Sequence, residues 1–150
     1  MVRKRKIYSW EKKYPKDVKW DVNIEPQPVF YLLEDSAKKY PDNLCLEFEG
    51  AQWTYAETLE LINKIAHGLQ QSGITKGDRV GLFMPNCPYY VMSYYAILKI
   101  GAIAVSYSPL YSITELVHQV NDSGTKYLIT IDLVMLYEKA ANLLQTTPLE

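Results

Sequence analysis

The chain has 150 residues, 48% of them hydrophobic and 22% charged, and a formal net charge of −1. That much apolar content excludes a disordered chain and suffices for one buried core. Two cysteines, Cys45 and Cys87, exclude a disulfide scaffold; with no leader signal they read as reduced thiols of a cytoplasmic protein. The small net charge argues against a nucleic-acid partner.

Charge is concentrated at the start. Residues 1–19 hold Arg3, Lys4, Arg5, Lys6, Lys12, Lys13, Lys16 and Lys19 against Glu11 and Asp17, a local excess of six positive charges. Ile7, Tyr8, Trp10, Tyr14 and Trp20 are interleaved with them. Two readings stay open: a solvated arm whose aromatics dock on its own domain, or peripheral contact of residues 1–20 with an anionic membrane surface at the inner face of the membrane. Asn23 to Pro28 is a proline-bearing linker. The division this predicts is an arm and linker over 1–27 and an α/β lobe over 28–150.

Val29, Leu32, Leu33, Ala37 and Tyr40 recur at helical spacing, and Pro41-Asp42-Asn43 stops that helix. Leu44 to Phe48 reads as a strand, with Glu49-Gly50 as the turn into a return strand around Trp53. Thr54-Tyr-Ala-Glu57 has the form of a capping box opening a helix through Leu69, and Gly73 ends it. From Gly77 onward strands and helices alternate. Strands are predicted over 79–84, 102–106 and 127–131, helices over 88–99, 113–121 and 134–144, with a second capping box at Ser112-x-x-Glu115. The stretch from Val80 to Leu98 contains no charge, but Pro85, Asn86 and Pro88 interrupt it, so a strand, a turn and a buried helix fit better than a membrane span. The strands are apolar runs, as when helices cover both faces of a parallel sheet. The fold class is α/β, a largely parallel sheet with helices on both faces.

In such sheets ligands gather at the carboxyl ends of the strands. The loops there are Pro85 to Pro88, Tyr107 to Tyr111 and Thr130 to Asp132. None is a phosphate cradle: a Gly-x-Gly-x-x-Gly pattern is absent, and Gly73-Ile-Thr-Lys-Gly77 continues with Asp78-Arg79 rather than Lys-Ser/Thr. His67 and His118 have no second ligand at metal spacing. Cys87 lacks a neighbouring base, so it reads as a packed thiol. Tyr89, Tyr90, Tyr94, Tyr95, Tyr107 and Tyr111 read as one aromatic cluster serving core or subunit packing more than ligand stacking. Ser106, Ser108 and Asp132 lie where a ligand could sit, but they equally suit turns, as Asp78-Arg79 does. No catalytic, cofactor-binding or metal-binding residue is assigned.

As a whole, the chain resembles a known group. Gly77-Asp-Arg-Val-Gly-Leu-Phe-Met-Pro-Asn-Cys-Pro88, followed by Tyr94-Tyr-Ala-Ile-Leu-Lys-Ile-Gly-Ala102, resembles the N-terminal part of the adenylate-forming (AMP-binding) enzymes. Trp53 to Glu57 and Leu98 to Val105 are similar to its first two core motifs. Ser108 to Tyr111 and Glu115 to Gly124 look most like long-chain fatty-acid–CoA ligases, with Ser108 and Thr114 departing from the usual asparagine and arginine. The resemblance implies the first lobe of a larger N-terminal domain, in which the fold's ATP loop, ribose-binding aspartate and mobile C-terminal domain lie outside these residues. It implies a whole protein that joins fatty acid to CoA through an acyl-adenylate, with ATP, Mg and CoA as cofactors and the isolated 150 residues inactive and binding none of them. A neighbour-facing surface left uncovered makes a homo-oligomer the expectation. A small-carboxylate ligase or peptide-synthetase adenylation enzyme is the alternative within the group, and a non-catalytic α/β interaction module the alternative outside it.

Overall fold

The computed structural model describes residues 8–19 and 22–150, so Arg3 to Ile7 and Trp20 of the basic arm lie outside the described residues. Within the arm, Glu11–Lys13 forms a single 3₁₀ turn. The first helix, α1, is Phe30–Lys39 and buries Leu33 and Ala37. Its last turn carries Lys38 and Lys39, which suit the negative end of the helix dipole. Strands β1 (Leu44–Phe48) and β2 (Ala51–Thr54) form an antiparallel hairpin. Glu49 and Gly50 both take positive φ, 50° and 82°, as the tight turn between two twisted strands requires.

The α2 helix (Tyr55–Gln71) starts with the predicted capping box. Thr54 N and Oγ1 donate to Glu57 Oε2 at 2.8 and 3.0 Å, and Glu57 N donates back to Thr54 Oγ1 at 3.2 Å. Strand β3 is Arg79–Phe83, α3 is Pro88–Lys99, β4 is Ile103–Tyr107, α4 is Ile113–Ser123, β5 is Tyr127–Thr130 and α5 is Val134–Thr146. The second box repeats the first: Ser112 N and Oγ donate to Glu115 Oε2 at 2.8 and 2.7 Å.

Both boxes carry a pH dependence. The Thr54 backbone and hydroxyl bonds hold Glu57 below the ordinary carboxylate range, and the Ser112 hydroxyl and backbone bonds do the same to Glu115, helped by the Lys139 charge. A carboxylate whose folded pKa is depressed stabilises the fold above its unfolded pKa and loses that contribution as pH falls through the folded value. The Glu57→Gln/Glu115→Gln variant should therefore melt below the wild type at neutral pH. The gap should narrow as pH drops below the ordinary carboxylate range; a gap constant from pH 7 to acid would contradict this account.

Strand β4 starts one residue later than the alternation predicts. Gly101 takes φ 77° and Ala102 N donates to Ile97 O at 3.1 Å, so Ala102 still belongs to the closing turn of α3. The three strands form a parallel sheet in the order β4-β3-β5, separate from the hairpin. Strand β3 is central, and Val80, Leu82 and Phe83 are wholly buried. Its alternation splits the core. Val80 and Leu82 pack with Ile97 of α3 on one face, while Phe83 packs with Leu116 of α4 and Leu143 of α5 on the other. Helices cover both faces, which is why the strands read as apolar runs. A third cluster joins α1, α2 and α3 through Leu33, Ile62 and Met92, and Lys99 at the end of α3 pairs with Glu34 of α1. Among the described residues no helix is long and apolar enough to cross a membrane.

Candidate functional site

Register brings the strand ends to one level: Phe83 lies beside Tyr107 on one side and Thr130 on the other. The loops leaving β3 and β4 part there around a cavity of about 560 Å³. Its walls are Met84, Pro85, Asn86 and Tyr90 on one side and residues 106–111 on the other. Asn86 supplies an amide, and Tyr90, Ser106, Ser108 and Tyr111 supply hydroxyls; no charged side chain lines it. It can therefore hold a neutral portion of a ligand.

The cavity is braced from three elements. Tyr90 and Ser106 hydroxyls bond at 2.7 Å, tying α3 to β4. Gln119 Nε2 of α4 donates to the Ser106 carbonyl at 2.9 Å, which leaves Gln119 Oε1 buried without a partner among the described residues. Lys139 of α5 donates to the carbonyls of Pro109 and Tyr111 at 3.2 and 2.7 Å. Within the loop, Ser108 Oγ accepts from Leu110 N at 3.3 Å.

Of the residues singled out in the sequence, Ser106 and Ser108 line the cavity, whereas Asp132 is exposed and outside its lining. Gln119 and Lys139 went unnoticed in the sequence. The signal for Gln119 was its place four residues after Glu115, one turn along α4; Lys139 gave none, because its carbonyl partners lie 28 and 30 residues away. The six tyrosines do not form one cluster. Tyr90 stacks on Tyr94 with ring centroids 6.4 Å apart, and Tyr94 meets Tyr95 edge-on at 5.8 Å. Tyr107 is buried on the opposite face of the sheet, while Tyr89 and Tyr111 are exposed. Consecutive helical positions point about 100° apart, and the sheet divides what proximity in sequence suggested.

The remaining candidates have structural settings. Cys87 is half-buried against the cluster containing Leu82 and Ile97. Burial pushes the Cys45 thiol above its ordinary value, with a Thr58 hydrogen bond opposing. His67 and His118 are exposed, and no group of three metal-ligating side chains exists among the described residues. Asp78 closes its turn by accepting from Thr75 N and Oγ1, both at 2.8 Å, which holds its carboxyl below the ordinary range.

Residues 33–149 match the family of AMP-binding enzymes. The chain belongs to that family. Over 125 residues, 83% of the chain, it is 38% identical to a long-chain-fatty-acid–CoA ligase of Bacillus subtilis. Among solved structures, a mutant coronafacic acid ligase of Pectobacterium brasiliense is 30% identical and superimposes over 83% of the chain and 24% of its own length, with a TM-score of 0.76. A Mycobacterium tuberculosis fatty acyl CoA synthetase is 27% identical over 81% of the chain and 24% of its own length, with a TM-score of 0.74. The match covers 22% of the Bacillus relative, so this member of the AMP-binding family spans about a fifth of the length of such curated relatives. Its fold is that of the first lobe of an adenylate-forming N-terminal domain.

Proposed function

We propose that these residues are the opening lobe of an AMP-forming long-chain fatty-acid–CoA ligase, arm over 1–27 and lobe over 28–150. The whole protein would convert fatty acid, ATP and CoA to acyl-CoA, AMP and pyrophosphate through an acyl-adenylate, in the cytoplasm. The observation that carries the reading is the 38% identity over 83% of the chain to a ligase of that description.

The lobe's own part is scaffold and one wall of the cleft. A triphosphate with Mg²⁺ needs cations or backbone cradles around developing charge. The cavity at the strand ends does not fit that demand, since it is lined by hydroxyl, amide and apolar groups alone. It fits an uncharged part of a substrate. Self-association of the lobe is part of the same reading, and the exposed Val134, Met135 and Tyr137 on α5 support it.

Pyrophosphate exchange with palmitate and ATP tests the division of labour. The 150-residue chain should exchange no more than a heat-killed control, and reproducible exchange would refute it. The ligase assignment is tested separately, by sequencing the gene beyond Glu150. A Ser/Thr/Gly-rich loop ending in lysine is expected there, and its absence would overturn the assignment whatever the exchange assay shows.

A further inference from the structure

We propose that the arm at residues 8–19 is a docking surface for an anionic lipid bilayer. The proposal stands apart from the ligase reading, because it rests on this segment alone. Lys12, Lys13, Lys16 and Lys19 are all exposed, and among the described residues none of their side chains makes an ion pair or hydrogen bond. Among the described residues no acidic side chain pairs with these cations, although the residues outside 1–19 carry seven negative charges in net, and with Glu11 and Asp17 counted residues 8–19 keep a net charge of +2.

Apolar groups stand among the same cations. Trp10 is 49% exposed, Tyr14 44% and Val18 47%. Trp10 stacks against Tyr8 with centroids 4.4 Å apart and planes 17° from parallel, so two aromatic rings present one amphipathic slab. The 3₁₀ turn at Glu11–Lys13 sets Lys12 and Lys13 directly after that slab, fixed by Lys13 N donating to Trp10 O at 2.9 Å. Indole and phenol rings partition to the headgroup level of a bilayer, with the apolar body inward and the polar edge in water. Lysine beside them adds attraction to anionic headgroups, about five-fold in partition for each cation near the surface. A single-stranded polynucleotide would use the charge and stack bases on exposed rings, but Trp10 and Tyr8 already stack on each other, and exposed Val18 offers a base nothing to pair with. The pairing of both features favours the bilayer.

Binding of this kind is reversible and salt-sensitive, since screening acts over ~8 Å at physiological ionic strength. The test is co-sedimentation of the 150-residue chain with vesicles of equal phosphatidylglycerol and phosphatidylcholine, and with phosphatidylcholine alone, at low and high salt. We expect binding to the mixed vesicles only, lost at high salt. Lys12→Gln/Lys13→Gln/Lys16→Gln/Lys19→Gln should reduce it at least ten-fold, and Trp10→Ala/Tyr14→Ala should reduce it several-fold, both with unchanged melting temperatures. Equal binding to neutral vesicles, or retention by either variant, would overturn the proposal. So would variants that melt lower yet bind vesicles as before, which would mean the arm docks on its own fold. Single-stranded RNA binding lost with the lysines, while vesicle binding ignores Trp10 and Tyr14, would assign the surface to nucleic acid instead.

Discussion

Replacing Phe83 with alanine should destabilise the lobe by about 3–5 kcal/mol, the cost of emptying a filled aromatic site in a core that relaxes only partly. Phe83 is wholly buried at the end of the central strand, where it packs with Tyr107, Leu116, Val120 and Leu143. Its loss removes contacts from β4, α4 and α5 together. At about 2–4 °C per kcal/mol for chains of this size, the melting temperature should fall by roughly 6–20 °C. Phe48 is the internal comparison: it is 39% exposed on the hairpin, and Phe48→Ala should cost about 1 kcal/mol or less. Thermal melts of the two variants side by side decide the matter, and equal losses would contradict the placement of the core.

Gly81→Ala should cost about 1–3 kcal/mol by overpacking, although alanine restricts the backbone of the unfolded chain and so offsets part of that cost. A Cβ there would lie 2.6 Å from Leu128 Cδ1 and 2.8 Å from Tyr107 Cε2. The leucine tip can swing aside. The tyrosine ring cannot, because its hydroxyl donates to Thr125 Oγ1 at 2.7 Å and bonds Ser123 Oγ at 3.0 Å. Tyr107→Phe alone should lose about 1 kcal/mol with the hydroxyl bonds. In the double variant the freed ring can tilt away from the new methyl, so the combined cost should be smaller than the sum of the two. Strict additivity in that cycle would show that the ring is not what the methyl strikes.

The local grammar of the chain was readable directly. The spacing predicts β1 and α3 with their observed bounds, both capping boxes form the reciprocal bonds their spacing implies, and the Glu49-Gly50 turn lies between β1 and β2 as its residue types require. Each of these depends on residues within about four positions of one another, where side-chain type and backbone preference act without the rest of the fold. Gly101 shows the limit of that reading: it marked the end of α3, but the extra bond from Ala102 N moved the start of β4 by one residue. The family resemblance rested on longer ordered motifs, and the match over residues 33–149 bears it out.

The candidate site was legible only in part. Strand-end loops could be named as the place to look, and Ser106 and Ser108 do line the cavity there. Its bracing could not be foreseen, since Lys139 of α5 reaches carbonyls of the loop that precedes α4, and Gln119 is turned toward the Ser106 carbonyl while its neighbour His118 is exposed. The tyrosines failed as a group for the same reason. Most of the elements, both capping boxes, the burial of β3 on both faces and the family were legible in the residues alone, because these follow from periodicity and short-range bonding. The place of β3 between β4 and β5, the packing of Tyr107 over Gly81, and the set of side chains around the cavity emerge in the folded chain alone. Those outcomes depend on register and on which helix covers which face, and such pairings form between residues far apart in the chain, where no local preference acts.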